Sequence, residues 1–158
     1  MGFITGLGAL KEHQDAKGGD YEDRVKADWV KVEPNSSIKI TPLQELDEGS
    51  PNYSEKMGVA KFALVHSHPD DFKKKAQCTV DEGDCYGCSQ GWYQKVVLYI
   101  NVLVDNGNDK PFPAVWSRGV GKNSVAKQLL NIAGDEDFGN SITDKTFKLT
   151  REGKGNDS

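Results

Sequence analysis

The sequence has no long apolar segment and is poor in several residue types. Its 158 residues include three cysteines, three histidines, three tryptophans and two methionines, and the mean hydropathy is -0.63. No apolar run is long enough for a membrane span, and no basic stretch followed by an apolar one marks a secretory signal. An odd number of cysteines disfavours a disulfide framework, so the composition predicts an intracellular, soluble protein.

The charge is modest and unevenly distributed. The formal net charge is -4, which does not by itself indicate binding to nucleic acid. Residues 1–55 carry 11 acids against 6 bases, whereas residues 56–158 carry 13 acids against 14 bases. The acidity near the start, around a Gly-Gly pair, predicts a flexible arm over residues 1–24, followed by a single domain over residues 25–158.

One short segment concentrates the side chains that can bind a metal. All three cysteines fall within eleven residues, and the segment 66–88 begins with His-Ser-His and ends with Cys-Tyr-Gly-Cys. A Cys-x-x-Cys turn, in which Gly87 supplies backbone freedom, can place two thiolates on one tetrahedral zinc ion; a third cysteine and one histidine would close the shell. The pattern predicts a structural zinc site with no position left for catalysis. The candidate ligands are Cys78, Cys85, Cys88 and one of His66 and His68.

The choice between the two histidines is less sharply determined. If residues 59–68 form a strand that turns and returns through Cys78, cross-strand pairing brings His66 closer to that cysteine than His68. Both histidines would point to the same face, because they lie two residues apart on a strand. His66 is therefore favoured and His68 is the rival ligand, within a zinc subdomain predicted over residues 66–93.

The remaining pattern is typical of a mostly β, α+β fold. Predicted elements are a helical patch at 7–16, a hairpin of strands at 29–32 and 38–40, a loop at 43–57, and strands at 59–68, 95–104, 112–118 and 146–151. One late helix follows Asn123 or Ser124, either of which can cap it, and Val125, Leu129 and Ile132 would form its buried stripe. This order predicts an OB-fold five-stranded barrel with the zinc subdomain inserted between strands.

The strand at 95–104 also suggests a binding surface. Its even positions are all apolar and are expected to face the core, which leaves Lys95, Tyr99 and Asn101 on the other face. A tyrosine beside a lysine and an amide suits single-stranded nucleic acid, because bases stack on the ring while phosphates meet positive charge. Further candidates of these kinds are Trp92, Tyr93, Trp116, Arg118, Lys122 and the lysines Lys73, Lys74 and Lys75. The alternative is that such aromatics belong to the core, as expected for Trp29, and that the lysines form a solvated turn.

The order of these features resembles a known family. The run from Trp29 through the histidines and cysteines, with Tyr-x-Asn-Val-Leu-Val at 99–104 and Phe-Lys-Leu-Thr-Arg-x-Gly-x-Gly at 147–155, is similar to the single-stranded-DNA-binding proteins of T-even and related tailed bacteriophages. The resemblance covers about residues 25–155. It implies a zinc-containing OB-fold core, a short arm for cooperative self-association on DNA, and an acidic C-terminal tail that recruits replication proteins.

The resemblance also assigns residues and a setting. The metal positions carry over to the three cysteines and to His66 or His68, and the aromatic of the central strand carries over to Tyr99. The chain differs from that family in having no acidic segment before Ser158 and no strongly basic arm. The implied location is the cytoplasm of the infected bacterial host, with no membrane association.

The sequence therefore predicts a protein of phage DNA replication, recombination and repair that binds single-stranded DNA and is not an enzyme. A protein-interaction module of the zinc-ribbon class is the alternative, and steep salt dependence of binding would separate the two. A zinc-dependent nuclease or deaminase is disfavoured, because it needs an open metal position, and the nearby acids Asp81, Glu82 and Asp84 have the look of an exposed loop. The run at 119–122 lacks the longer loop of a phosphate-binding glycine motif.

Overall fold

Six antiparallel strands and few helices make up the computed structural model, which describes residues 28–108 and 110–153. The strands are β1 (Ser36–Pro42), β2 (Lys61–Ser67), β3 (Lys75–Gln77), β4 (Gln94–Asp105), β5 (Phe112–Gly119) and β6 (Phe147–Arg151). The helices are α1 (Tyr86–Ser89) and α2 (Val125–Ala133), with 3-10 turns at Val80–Glu82 and Glu136–Phe138. The mostly β prediction is confirmed. The predicted arm at 1–24 and helical patch at 7–16 lie outside the described residues.

Strand β4 organises the sheet. One of its edges pairs first with β2 and then with β1, while its other edge pairs with β5. β3 extends the sheet beyond β2, and β6 extends it beyond β1. Between the described strands these ladders form an open sheet, and none of them closes a barrel. None of the helices within the described ranges is long and apolar enough to span a membrane.

The core lies on one face of β4. Leu98, Ile100, Val102 and Val104 are at most 3% exposed, and each such side chain contributes about 1.5–3 kcal/mol by leaving water. The expectation that every even position faces the core is wrong for Val96, which is 37% exposed. Its cross-strand partner on β2 is exposed as well, so this end of β4 extends past the buried cluster.

Helix α2 begins where the sequence predicts. The side-chain oxygen of Ser124 accepts a hydrogen bond from the backbone N–H of Lys127 at 3.1 Å, which is an N-cap. The buried stripe differs by one position from the prediction. Ala126 and Leu129 are buried whereas Val125 is 46% exposed. Ala126, the second residue of the helix, packs in the core in place of Val125, the first.

The predicted hairpin between residues 29–32 and β1 is wrong. Trp29 instead bridges Val115 of β5 in parallel; Val115 donates to the carbonyl of Asp28 at 2.7 Å and accepts from the N–H of Val30 at 2.9 Å. Both edges of β1 are occupied by β4 and β6, so the incoming chain pairs with the outer edge of β5. Trp29 is 52% exposed and does not belong to the core.

A buried carboxylate ties the loop before β2 to the turn before β6. Glu45 is 1% exposed; it accepts hydrogen bonds from the hydroxyls of Ser141 at 2.6 Å and Thr143 at 2.7 Å, and from the backbone N–H groups of Ile142 and Thr143. Burial alone raises the pKa of Glu45, but these hydrogen bonds together lower it by more than burial raises it. The net pKa therefore lies below the ordinary value of 4.5. The ionised form is the one that holds the two segments together.

We expect Glu45→Gln to lower the free energy of unfolding at neutral pH by about 1–3 kcal/mol, because the amide leaves buried donors unsatisfied. Because the pKa of Glu45 is lowered by folding, its contribution to stability is complete above pH 4.5. This contribution is lost as the pH falls through the pKa of the folded state. The difference between wild type and variant should therefore shrink in acid. Urea unfolding at neutral pH and below 4.5 measures both effects, with the exposed Glu48→Gln as control. Equal urea midpoints for the two variants at neutral pH would contradict this role.

Candidate metal centre and cationic groove

The β2–β3 hairpin brings His66 and Cys78 together. Ala76 of β3 is opposite His66, and the backbone N–H of Cys78 donates to the carbonyl of Leu64 at 2.8 Å, which continues the ladder past the end of β3. Side chains alternate along a strand, so Cys78 lies on the same face as His66. Helix α1 then supplies the remaining thiols, with Cys85 at its N-cap and Cys88 within it.

Four ligand atoms meet in a space suited to one metal ion. The Nε2 atom of His66 lies 3.4 Å from the Sγ atoms of both Cys85 and Cys88, and the Sγ atoms of Cys78 and Cys88 are 3.6 Å apart. All four ligand atoms lie within 4.8 Å of one another. Tetrahedral zinc with ordinary Zn–S and Zn–N bonds places its ligands about 3.3–3.8 Å apart. The cluster can therefore hold a metal ion, and its geometry is compatible with zinc.

His68 lies outside this group. Its Nδ1 atom accepts a hydrogen bond from the backbone N–H of Asp70 at 3.1 Å, and its ring meets Trp92 edge-on at a centroid distance of 5.0 Å. Strand β2 ends at Ser67, so the alternation that would have kept both histidines on one face stops before His68. Of the two candidate histidines, the structure places His66 with the three cysteines.

Neighbouring groups orient the ligands. The Nδ1 atom of His66 lies 3.2 Å from the carbonyl oxygen of Trp92; a carbonyl only accepts, so this nitrogen carries the proton and Nε2 presents its lone pair to the thiols. The amide of Gln94 donates to the Sγ atom of Cys78 at 3.3 Å. Hydrogen bonds of this kind fix the ring tautomer and reduce the freedom of a thiolate.

Neighbouring backbone groups and thiols shift the pKa values of the cysteines. The backbone N–H of Cys88, together with that of Thr79, lowers the pKa of Cys85 to about 6. The neighbouring side chain of Cys78 raises the pKa of Cys88 to about 11. Three thiolates at these distances repel one another, so their full ionisation requires a cation between them.

Gly87 is required for space. A Cβ atom at this position would lie 2.6 Å from both Cγ and Cδ2 of the His66 ring. The backbone of Gly87 does not need a positive φ, so the expected reason for the glycine, conformational freedom, is replaced by close approach to the imidazole. This contact packs the Cys-x-x-Cys turn directly onto the histidine.

We expect Cys88→Ser and His66→Ala to abolish stoichiometric metal binding, because each removes one of four converging ligands. His68→Ala should leave the metal content unchanged, since His68 lies outside the cluster. Elemental analysis of the purified variants measures the outcome. Metal-free wild type, or a His68→Ala variant that loses its metal, would contradict this ligand set.

We expect Gly87→Ala to displace His66, lower metal affinity about 10-fold or more and reduce Tm. The matched control is Gly121→Ala, because a Cβ atom at Gly121 meets nothing within 4 Å and its φ is not positive. Competition with a zinc chelator and thermal unfolding provide the two readouts. Wild-type affinity in Gly87→Ala would show that the turn does not press on the imidazole.

The second face of β4 presents polar and basic groups. Tyr99 is half-buried between Lys61 of β2 and Ser117 of β5, Asn101 is exposed, and Lys95 lies at the start of the strand. Val97, on the same face, is buried at 4% exposure. This face therefore combines one buried apolar side chain near the start of β4 with polar and basic groups around it.

An open groove of about 550 Å³ crosses this region. Its basic lining residues are Lys31, Lys75, Lys95, Arg118 and Arg151. Glu33 is its one acidic lining residue, and Val97 and Ser117 lie beneath. We call this feature the cationic groove. Three of its basic residues were candidates from the sequence, whereas Lys31 and Arg151 were not, because no local pattern connects positions so distant in the chain.

The basic groups of the cationic groove are close enough to oppose one another's charge. Burial lowers the pKa of Lys95 and nearby Lys75 lowers it further; burial likewise lowers the pKa of Arg118, with a contribution from Arg151. A bound anion would relieve this repulsion.

Other candidates lie elsewhere. Trp116 is 1% exposed and faces the core opposite Ile100, so its ring is not accessible to a base. The side chains of Trp116 and Arg118 lie on the same face of β5, as their spacing predicts. Arg118, however, lies near the end of the strand, beyond the buried core. The exposed residues Lys73, Lys74 and Lys122 do not line the cationic groove. Trp92 packs edge-on against Tyr86 beside the cysteines, and Tyr93 is 67% exposed.

Comparisons with known proteins add no relative. A scan of protein-family models and searches of curated proteins and of solved structures found no match to this chain. Function must therefore be inferred from the metal cluster and the cationic groove.

Proposed function

We propose that this protein binds single-stranded DNA without strong sequence preference during replication, recombination and repair of a tailed bacteriophage, inside the infected host cell. The observation that carries the proposal is the cationic groove, in which five basic side chains line one open channel with a single acid. A flexible single strand can follow such a channel and place successive phosphates on it. A rigid duplex cannot bend into it.

Stacking and charge are divided between the cationic groove and the neighbouring surface of β4. Lys95 and Arg118 meet phosphates within the groove, and the ring of Tyr99, further along β4, offers a surface to a base. Stacking uses the π-face that all four bases share, which explains a lack of sequence preference. Asn101 and the exposed Tyr93 extend the set of polar and aromatic contacts.

In this proposal zinc is structural. It is held by the four clustered side chains, it leaves no coordination position open, and it supplies folding free energy rather than chemistry. Cys78 follows β3 directly, and β3 begins with Lys75, one of the groove cations. Closing the metal site thus fixes the strand that carries part of the groove.

The architecture in this proposal is a partly open barrel of the OB type. The long strand β4 is shared along one edge by β2 and β1, and α2 lies between β5 and β6 in the chain. Strand β3, helix α1 and the cysteines form the inserted zinc subdomain. OB folds bind oligonucleotides across a face of the barrel, and the cationic groove crosses such a face.

We expect a labelled oligo-dT to bind with an affinity that falls steeply with salt, and duplex DNA to compete weakly. Lys95→Ala or Arg118→Ala should weaken binding and reduce the salt slope by about 0.7 for each lost phosphate contact. Lys127→Ala, an exposed helix position outside the groove, is the matched control. Fluorescence anisotropy at several salt concentrations measures all of these quantities.

Two results of that experiment would refute the proposal. One is displacement of oligo-dT by duplex of equal length as effectively as by oligo-dT itself; the other is binding by the groove variants equal to that of the Lys127→Ala control. A protein that binds no nucleic acid would instead favour the zinc-ribbon interaction module, whose exposed surface would include Phe72, Tyr86 and Tyr93 around the cysteines.

A further inference from the structure

The segment before β1 carries an exposed tryptophan on the same face of the sheet as Tyr99. In a parallel bridge the paired side chains lie on the same side, so Trp29 shares the face of Val115, which in turn is paired with Asn101. Its indole is 52% exposed. The rings of Trp29 and Tyr99 meet edge-on, with a centroid distance of 6.3 Å and an interplanar angle of 73°.

A second groove lies along the same segment. It has a volume of about 1030 Å³; among its lining residues are Trp29, Lys31, Ile38, Val104, Lys110 and Phe112. Val30, Lys31 and Glu33 line both this groove and the cationic groove, so the segment is a shared wall between them. The second groove is lined by two lysines, Lys31 and Lys110, and by two acids, Asp28 and Glu33. A strand that leaves the cationic groove over this wall meets Trp29 and then the apolar floor between these side chains.

We propose that Trp29 stacks on an unpaired nucleobase of the strand held in the cationic groove, and that the strand continues into the second groove, where Lys110 meets a phosphate. This inference rests on the proposed function and extends its binding site. The indole offers the largest aromatic face of any side chain, and its contacts with Tyr99 and the bridge to β5 hold it in place before DNA arrives. Little conformational entropy is therefore lost on stacking.

The three tryptophans have different exposures, which gives a direct test. Trp116 is 1% exposed and Trp92 is half-buried, so in a Trp92→Phe background Trp29 is the accessible emitter. Titration with oligo-dT should quench its fluorescence. Replacement of Trp29 by Phe in the same background should remove the quenching while a labelled oligo-dT still binds. Absence of quenching in Trp92→Phe while labelled oligo-dT binds would overturn the stacking assignment and leave the proposed function standing.

Affinity gives an independent measure. Trp29→Ala should weaken oligo-dT binding about 5- to 150-fold with an unchanged salt slope, and Trp29→Phe should restore part of the loss. The matched control is Phe138→Ala, which removes an aromatic ring of similar exposure, 47%, that lines neither groove. Equal affinities for Trp29→Ala and Phe138→Ala would overturn the inference. Circular dichroism of each variant separates lost binding from lost folding.

The path into the second groove has its own readout. Lys110→Ala should reduce the salt slope by about 0.7, as for one lost phosphate contact, and leave the quenching of Trp29 intact. An unchanged slope would overturn the continuation of the strand into the second groove. If labelled oligo-dT does not bind wild type at all, the proposed function and this inference both fail.

Discussion

Pairing of β4 along both edges is the constraint on which the rest of the structure depends. Its backbone is fixed by β2 and β1 on one side and by β5 on the other, so its side chains can only alternate between two faces. One face buries Leu98, Ile100 and Val102. The other carries Lys95 and Tyr99, and a slip of one residue would exchange the two sets.

The metal cluster and the cationic groove share the same hairpin. Strands β2 and β3 present His66 on one face, while Lys75 lies beside the groove. Gly87 allows the cysteine turn to pack against the imidazole ring. Metal binding would thus order the hairpin that carries Lys75 without any contact between the metal ion and the groove.

Short-range patterns were enough for several features. The alternation in β4 from Leu98 onward, the cap at Ser124 and the clustering of the cysteines are each local in sequence, and each is found where it was predicted. The preference for His66 over His68 rested on the pairing of two strands that are close in sequence, β2 and β3. The prediction for Val125 failed because the sequence did not show which surface the helix packs against. The predicted buried face was therefore displaced by one residue at the start of the helix.

The sequence by itself determined the mostly β class, the late helix and a metal-binding segment of three cysteines and two candidate histidines, because these depend on periodicity and spacing along the chain. Only the tertiary structure decided that Trp29 is exposed on the outer edge of β5 while Trp116 is buried. It alone brought Lys31 and Arg151 into one groove. The physical reason is that edge pairing and charge proximity depend on which strands are already occupied, and no single segment contains that information.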